Sequence, residues 1–235
     1  MSIYTNGTYY QKNPNWHADD APWKATQIFN IIEKNKINPL SICEVGCGSG
    51  QLLNQLSQKM NTTIKFYGYE ISPQAYDLCK KINNSNVIFH FKDITKEATV
   101  KFDLLLIIDV IEHLENYYGF LRSIKEKGDF FIFNIPLEIW IKAIFPNQLL
   151  KSKRYVGHLH FFTKELAISI LEDTDYSIID YSLIPSYSLI DEHQPFSSKF
   201  LRIPRMVTSK VSKELCSRIF GGCSLLILAK YEFYH

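Results

Sequence analysis

In this 235-residue chain the run best suited to chemistry is Glu44-Val45-Gly46-Cys47-Gly48-Ser49-Gly50. It follows a strand-like stretch and precedes a helix-like one, Gln51–Lys59. Glycines at 46, 48 and 50 let the backbone turn sharply and approach a ligand with no Cβ in the way. A dinucleotide fingerprint, G-x-G-x-x-G, would put its third glycine at position 51, where this chain has Gln51. The strand also ends in Glu44, whose carboxylate would repel a pyrophosphate yet could hold the ammonium of an amino acid, directly or through water. The acid and the G-x-G-x-G turn together favour a ligand with a cationic amino-acid end.

Three more strand ends carry acids. Glu70, in Tyr69-Glu70-Ile71, can accept hydrogen bonds from the two ribose hydroxyls of a nucleoside. Asp93, in Lys92-Asp93-Ile94, could bond an exocyclic adenine amine with Ile94 or Ile71 pressed on the ring, though Asp often only ends a strand and starts a turn. The last run is Asp109-Val110-Ile111-Glu112-His113. A solvated acid at a strand end is the plain alternative for each. The glycine turn beside them points to a nucleoside-bearing ligand.

Such acids need strands that end side by side. Ser41–Val45, Ile64–Glu70, Val87–Asp93, Phe102–Asp109 and Asp129–Ile135 read as strands, most of them continuously apolar. That pattern belongs to strands covered on both faces, hence to a parallel sheet. Helical spacing appears in Ser72–Ile82, Leu114–Lys127 and Thr163–Thr174, and at the front in Asp20–Lys36. Repeated β-α-β units give right-handed crossovers and an α/β, doubly wound, Rossmann-like sheet with helices on both faces. Two tail runs, Ser177–Ile184 and Cys223–Phe233, add strands, and the long excursion between them would let the last return antiparallel. Trp140, Ile141, Ile144 and Phe145 suggest a short amphipathic insertion ending near Pro146. No repeat or linker divides the chain, so 1–235 reads as one domain.

Hydrophobic residues make up 46% of the chain, enough for a large core. A formal charge of +2 gives no broad footprint for nucleic acid, and DNA is not expected as a partner. The five cysteines are odd in number and contain no C-x-x-C pair, which suits free core thiols in a reducing cytoplasm. The first residues lack the pattern of a signal peptide, and no apolar run nears the ~20 residues of a membrane span. A soluble, cytoplasmic protein is expected, either a monomer or a homodimer.

Glu44–Gly50, Glu70, Asp93 and DVIEHLEN, in this order, resemble the class I S-adenosylmethionine (SAM)-dependent methyltransferases. The likeness is greatest to the small-molecule group that includes the ubiquinone-biosynthesis O-methyltransferases, and GHLHFFT (Gly157–Thr163) is also similar to that group. The resemblance runs from about Ile42 to Thr174. It implies a seven-stranded sheet, mostly parallel with its last strand antiparallel. It further implies Glu44, Gly46, Gly48 and Gly50 around the methionine part of SAM, and Cys47 in the same turn is a further candidate cofactor contact. Glu70 would sit at the ribose, Asp93 and Ile94 at the adenine and Asp109 and Val110 beneath the sulfonium; Ile71, as the alternative ring contact, and His113 are further candidate cofactor contacts. S-adenosylhomocysteine (SAH) would be the product.

On that reading His113 is the leading general base, because imidazole titrates near the working pH; a His that only orients the loop is the alternative. His158 and His160 are rivals for the role. The resemblance also raises a divalent metal held by Asp109, Glu112, His113 and one of His158 or His160. The aromatics of residues 1–36, Tyr9-Tyr10, Trp16-His17 and Trp23-Lys24, suggest a lid, with a hydrophobic staple as the alternative. Tyr10, Trp16, His17 and Trp140 are candidate substrate contacts, and insertions 137–157 and 185–222 would shape the acceptor site. Segment 137–150 could instead rest on a membrane or a partner. The expected acceptor is an oxygen or nitrogen of a small metabolite such as a natural product, sugar or quinone. An RNA methyltransferase, an NAD-dependent oxidoreductase and a SAM-sensing scaffold remain alternatives.

Overall fold

A computed structural model describes residues 7–16, 18–185 and 201–232. His17 and residues 186–200 of the long excursion lie outside them. The strands are β1 (Ser41–Val45), β2 (Lys65–Glu70), β3 (Val87–Phe91), β4 (Phe102–Ile108), β5 (Gly128–Leu137), β6 (Tyr176–Pro185) and β7 (Cys223–Tyr231). They form one seven-stranded sheet in the order β3-β2-β1-β4-β5-β7-β6. β1 to β5 pair in parallel, and β7 runs antiparallel between β5 and β6. The last strand therefore returns as expected.

Nine helices are described: α1 (Thr8–Lys12), α2 (Ala21–Lys34), α3 (Gln51–Lys59), α4 (Pro73–Cys79), α5 (Tyr117–Ile124), α6 (Gln148–Tyr155), α7 (Lys164–Glu172), α8 (Arg202–Val211) and α9 (Lys213–Phe220). Successive side chains of β4 explain why its apolar run does not alternate. Leu105 packs into a core with Leu121, Ile124 and Ile170 of α5 and α7, while Leu104 and Leu106 enter the opposite core with Ile28 and Leu53 of α2 and α3. Both faces are covered, so both need apolar residues. At the start of β1, Asp103 accepts bonds from the Leu40 and Ser41 amides at 2.7 and 2.8 Å, which sets the strand beside β4.

Several helices are shorter than their apolar spacing predicts. Asn116 accepts from the Gly119 amide at 2.8 Å, so α5 starts at Tyr117 and Leu114 stays outside it. Residues 111–113 form a 3-10 turn instead. Lys81 and Ile82 bond back by only three residues, which ends α4 at Cys79. The insertion after β5 does not finish at Pro146; a 3-10 turn, Ile141–Ile144, is followed by α6. In the described part of the excursion, α8 and α9 lead into β7.

Candidate active site

β1 lies between β2 and β4, so the chain leaves the sheet in opposite directions from its two sides. In doubly wound sheets that switch opens a crevice at the carboxyl ends of the strands. The glycine turn lies there. Gly46, Gly48 and Gly50 have φ of +69°, +55° and +73°, a left-handed backbone that other residues adopt only with strain. The Gly46 and Cys47 amides both donate to the Tyr69 carbonyl, at 2.8 and 3.1 Å, which ties the turn to β2. Val110 packs against Gly46. A Cβ on Gly50 would lie 2.6 Å from the Phe89 ring, so that glycine serves packing as well as the turn. The Cys47 thiol points away from the crevice, 3.9 Å from the Cys79 sulfur, and only the Cys47 backbone lines the turn.

Glu44 is 4% exposed, and its Oε2 has no hydrogen-bond partner among the described residues. Burial pushes its carboxyl well above the ordinary range; the nearby Cys79 adds to this and Lys24 opposes it. Glu70 is held in place by three amides: Gly48 at 2.8 Å, Ile71 at 2.8 Å and Ser72 at 2.7 Å. Burial raises its pKa and the amides pull it back. Asp93 accepts from the Thr95 amide and hydroxyl at 3.0 and 2.6 Å and caps the short turn after β3. The two apolar candidates separate here. Ile71 is half exposed at the end of β2, whereas Ile94 is a core residue with no open face to offer a ring.

Asp109 sits at φ +54°, with Lys24 Nζ at 2.9 Å and the Asn134 amide donating at 2.6 Å. Burial would raise its pKa, but the Lys24 charge and the Asn134 bond hold it below the usual carboxylate range. Neither partner was named as a site residue from the sequence. A lone amide in the apolar β5, paired in register beside Ile108, was the available signal for Asn134.

Beyond Asp109 the 3-10 turn buries Glu112 completely, at 0% exposure, and neither carboxylate oxygen accepts a hydrogen bond from another described residue. Burial pushes this carboxyl well up, and Asp109 pushes further. The Glu112 carbonyl accepts from the Leu159 and His160 amides, which brings the GHLH segment against the turn. His113 donates its Nδ1–H to the Gly157 carbonyl at 3.3 Å, a tautomer that leaves Nε2 as the acceptor. Burial and the neighbouring His158 lower its pKa to about 4, so the ring is neutral near pH 7. The rings of His113 and His158 meet edge to face at 4.8 Å, and His158 Nδ1 bonds Glu138. One ligand atom from each of Glu112, His113 and His158 lies within 4.8 Å of the others. His160 instead turns its ring to Tyr117, at 4.7 Å. His158 is therefore the rival that joins the cluster, and Glu138 was not foreseen.

The front segment folds over this end of the sheet. Trp16 lies on Gly48, where a Cβ would come within 2.5 Å of its indole, and Tyr9 packs edge-on against Trp16 at 4.9 Å. Burial raises the Tyr9 hydroxyl pKa, and the charges acting on it are Lys24, Asp109 and Glu112. Tyr10 points outward, 38% exposed; the inward member of the pair is Tyr9. Trp140 lies flat against Gly221 and joins the insertion after β5 to the start of β7.

The family described as a methyltransferase domain matches residues 38–181, and the chain belongs to it. Pavine N-methyltransferase of Thalictrum flavum subsp. glaucum is 33% identical over 89 residues, covering 36% of this chain and 25% of that protein. The tRNA N(3)-methylcytidine methyltransferase of Schizosaccharomyces pombe is 32% identical over 129 residues, half of each chain. The chain thus spans between a quarter and a half of these relatives' length. The magnesium protoporphyrin IX methyltransferase of Synechocystis PCC 6803, solved with bound SAH, is 15% identical and has the same fold, with a TM-score of 0.57 over 90% of this chain and 83% of that one.

Proposed function

We propose that residues 1–235 form one methyltransferase domain that binds SAM at the glycine turn and methylates an oxygen or nitrogen of a small metabolite. The observation that carries this reading is Glu44, a buried carboxylate with an unpartnered oxygen beneath a turn of three left-handed glycines. A cationic amino-acid end supplies the missing partner, and the amide-anchored Glu70 keeps one lone pair, on Oε2, for a ribose hydroxyl. The SAH-bound relative and the pavine N-methyltransferase support the cofactor and the class of acceptor. Five buried cysteines, none of them in a disulfide, suit a cytoplasmic enzyme.

When bound, SAM supplies an activated methyl group for in-line displacement. The chain's own task is to orient and to take a proton. Asp109, fixed by Lys24 and Asn134, shapes the floor between the glycine turn and the histidines. His113, neutral and held through Nδ1, presents Nε2 as a base for an acceptor hydroxyl or ammonium. Trp16 covers the turn and must move for the cofactor to enter.

Glu44→Gln tests the reading. The amide keeps the shape and removes the charge, so SAM affinity should fall about 10–100-fold by calorimetry, the range of a charge-assisted bond. The ligand-free melting temperature should hold or rise, because a buried unpaired acid is gone. Unchanged SAM affinity sinks the assignment.

A metal-assisted variant of this reading is favoured by the Glu112–His113–His158 cluster. Neither Glu112 oxygen has a hydrogen-bond partner among the other described residues, and each imidazole has its Nδ1 tied to an oxygen, as metal-bound histidines do. These three residues would hold a divalent ion, which would polarise an acceptor oxygen.

A further inference from the structure

Beyond the catalytic cleft, the two insertions build a cap on one edge of the sheet. Leu137, the last residue of β5, pairs with Cys223, the first of β7, and both insertions leave from that point. It is the end of the sheet to which β1 and β4 also bring their carboxyl termini. Within the cap, α9 packs on the 141–144 turn and on α8. Arg205 binds the Phe220 carbonyl through Nε and Nη2 at 3.0 and 2.7 Å.

This cap shows an unusual amount of grease. Ten of the nineteen large hydrophobic side chains exposed among the described residues lie between 139 and 150 or between 203 and 215. Ile141, Ile144, Phe145, Ile203, Val207 and Val211 are each more than half exposed, Val211 at 82%. Isolated exposed apolar residues need no explanation, but a concentration in one substructure marks an interaction surface.

Its charge identifies the partner. Residues 139–155 carry Lys142, Lys151, Lys153 and Arg154 and no acid, and residues 203–215 carry Arg205, Lys210 and Lys213 against one acid, Glu214, which pairs with Lys164 and Arg218. In a chain whose formal charge is only +2, this is a local excess of positive charge around an apolar face. A second copy of the chain fits badly, because a two-fold interface would set the basic face against itself.

We propose that the cap docks the protein on an anionic lipid surface, with the exposed Ile, Phe and Val side chains in the headgroup–acyl boundary and the lysines against the headgroups. No described helix is long and apolar enough to cross a membrane, so the contact is peripheral. The docked face then lies beside the crevice, where an amphiphilic molecule would pass from the bilayer to the site.

Vesicle co-sedimentation of the full chain tests this. Vesicles containing phosphatidylglycerol should pellet the protein, pure phosphatidylcholine should pellet far less, and added salt should weaken the first. Ile144→Asp combined with Val211→Asp should abolish pelleting, while Lys151→Ala and Lys153→Ala should each weaken it about fivefold. Melting temperature, not SAM binding, verifies that each variant folds, so the result stands apart from the cofactor assignment. Failure to bind either vesicle, or equal binding by the Asp double variant, overturns the proposal. So does dimerisation through this face without lipid, or tRNA retention lost in the lysine variants but kept in the Asp double variant.

Discussion

Glu112 poses the sharpest question at the scale of single residues. A carboxyl group with no exposure and no partner among the other described residues is costly, and folding retains such groups where something later satisfies them. His113→Ala should lower turnover about 10²-fold or more while SAM affinity stays within a few-fold, since general-base contributions are of that order. Calorimetry with Mn²⁺ separates base from ligand: binding by the native protein that Glu112→Gln loses assigns a metal, and no heat leaves His113 as a plain base. The places of the glycine turn and of the acids at 44, 70 and 109 at strand ends were legible from residue type and spacing, while the part given to Asp109 came from the resemblance. The burial of Glu112 was not, since an acid just past a strand end reads as solvated until Leu159 and His160 close over it. Asp93 shows the reverse, a readable acid whose bonds go to its own turn.

Among the elements, the front segment bears most directly on ligand exchange. Tyr9 reaches the crevice from the five-residue helix α1, and Trp16 from the turn that follows it. If they form a gate, Trp16→Ala should speed both association and release of SAM in stopped-flow fluorescence, with little change in melting temperature. A lower melting temperature with unaltered rates would show a staple instead. Asp103 makes a testable joint at the other end of β1. Burial alone would raise its pKa, but the Leu40 and Ser41 amides and the Ser41 hydroxyl hold it below the ordinary value. Its stabilising effect is therefore present above the unfolded pKa of about 3.9 and is lost as the pH falls through the lower folded value. Asp103→Asn should lower the melting temperature by about 2–4 °C at neutral pH, for roughly one lost kcal/mol of hydrogen bonding. The native and variant curves should converge in acid; a constant gap at every pH would remove the ionised carboxylate from the account. Helix limits were the least legible feature here, because apolar spacing records which face is buried while caps such as Asn116 decide where a helix begins.

For the whole molecule, the sequence by itself determined the sheet, its crossovers and the place of the crevice. Continuous apolar strands, helical stripes and a glycine turn are local patterns, and connection handedness leaves few ways to assemble them. Only the tertiary structure decided which distant groups meet. Lys24 reaches Asp109, Glu138 reaches His158, Trp16 settles on Gly48, and two insertions far apart in the chain join through Trp140 and Gly221. Those pairings bridge long separations with side chains whose local context has no periodicity to mark them. The exposed apolar cap has the same origin. An amphipathic segment looks alike whether its greasy face turns inward or outward, and only packing against the rest of the fold settles which.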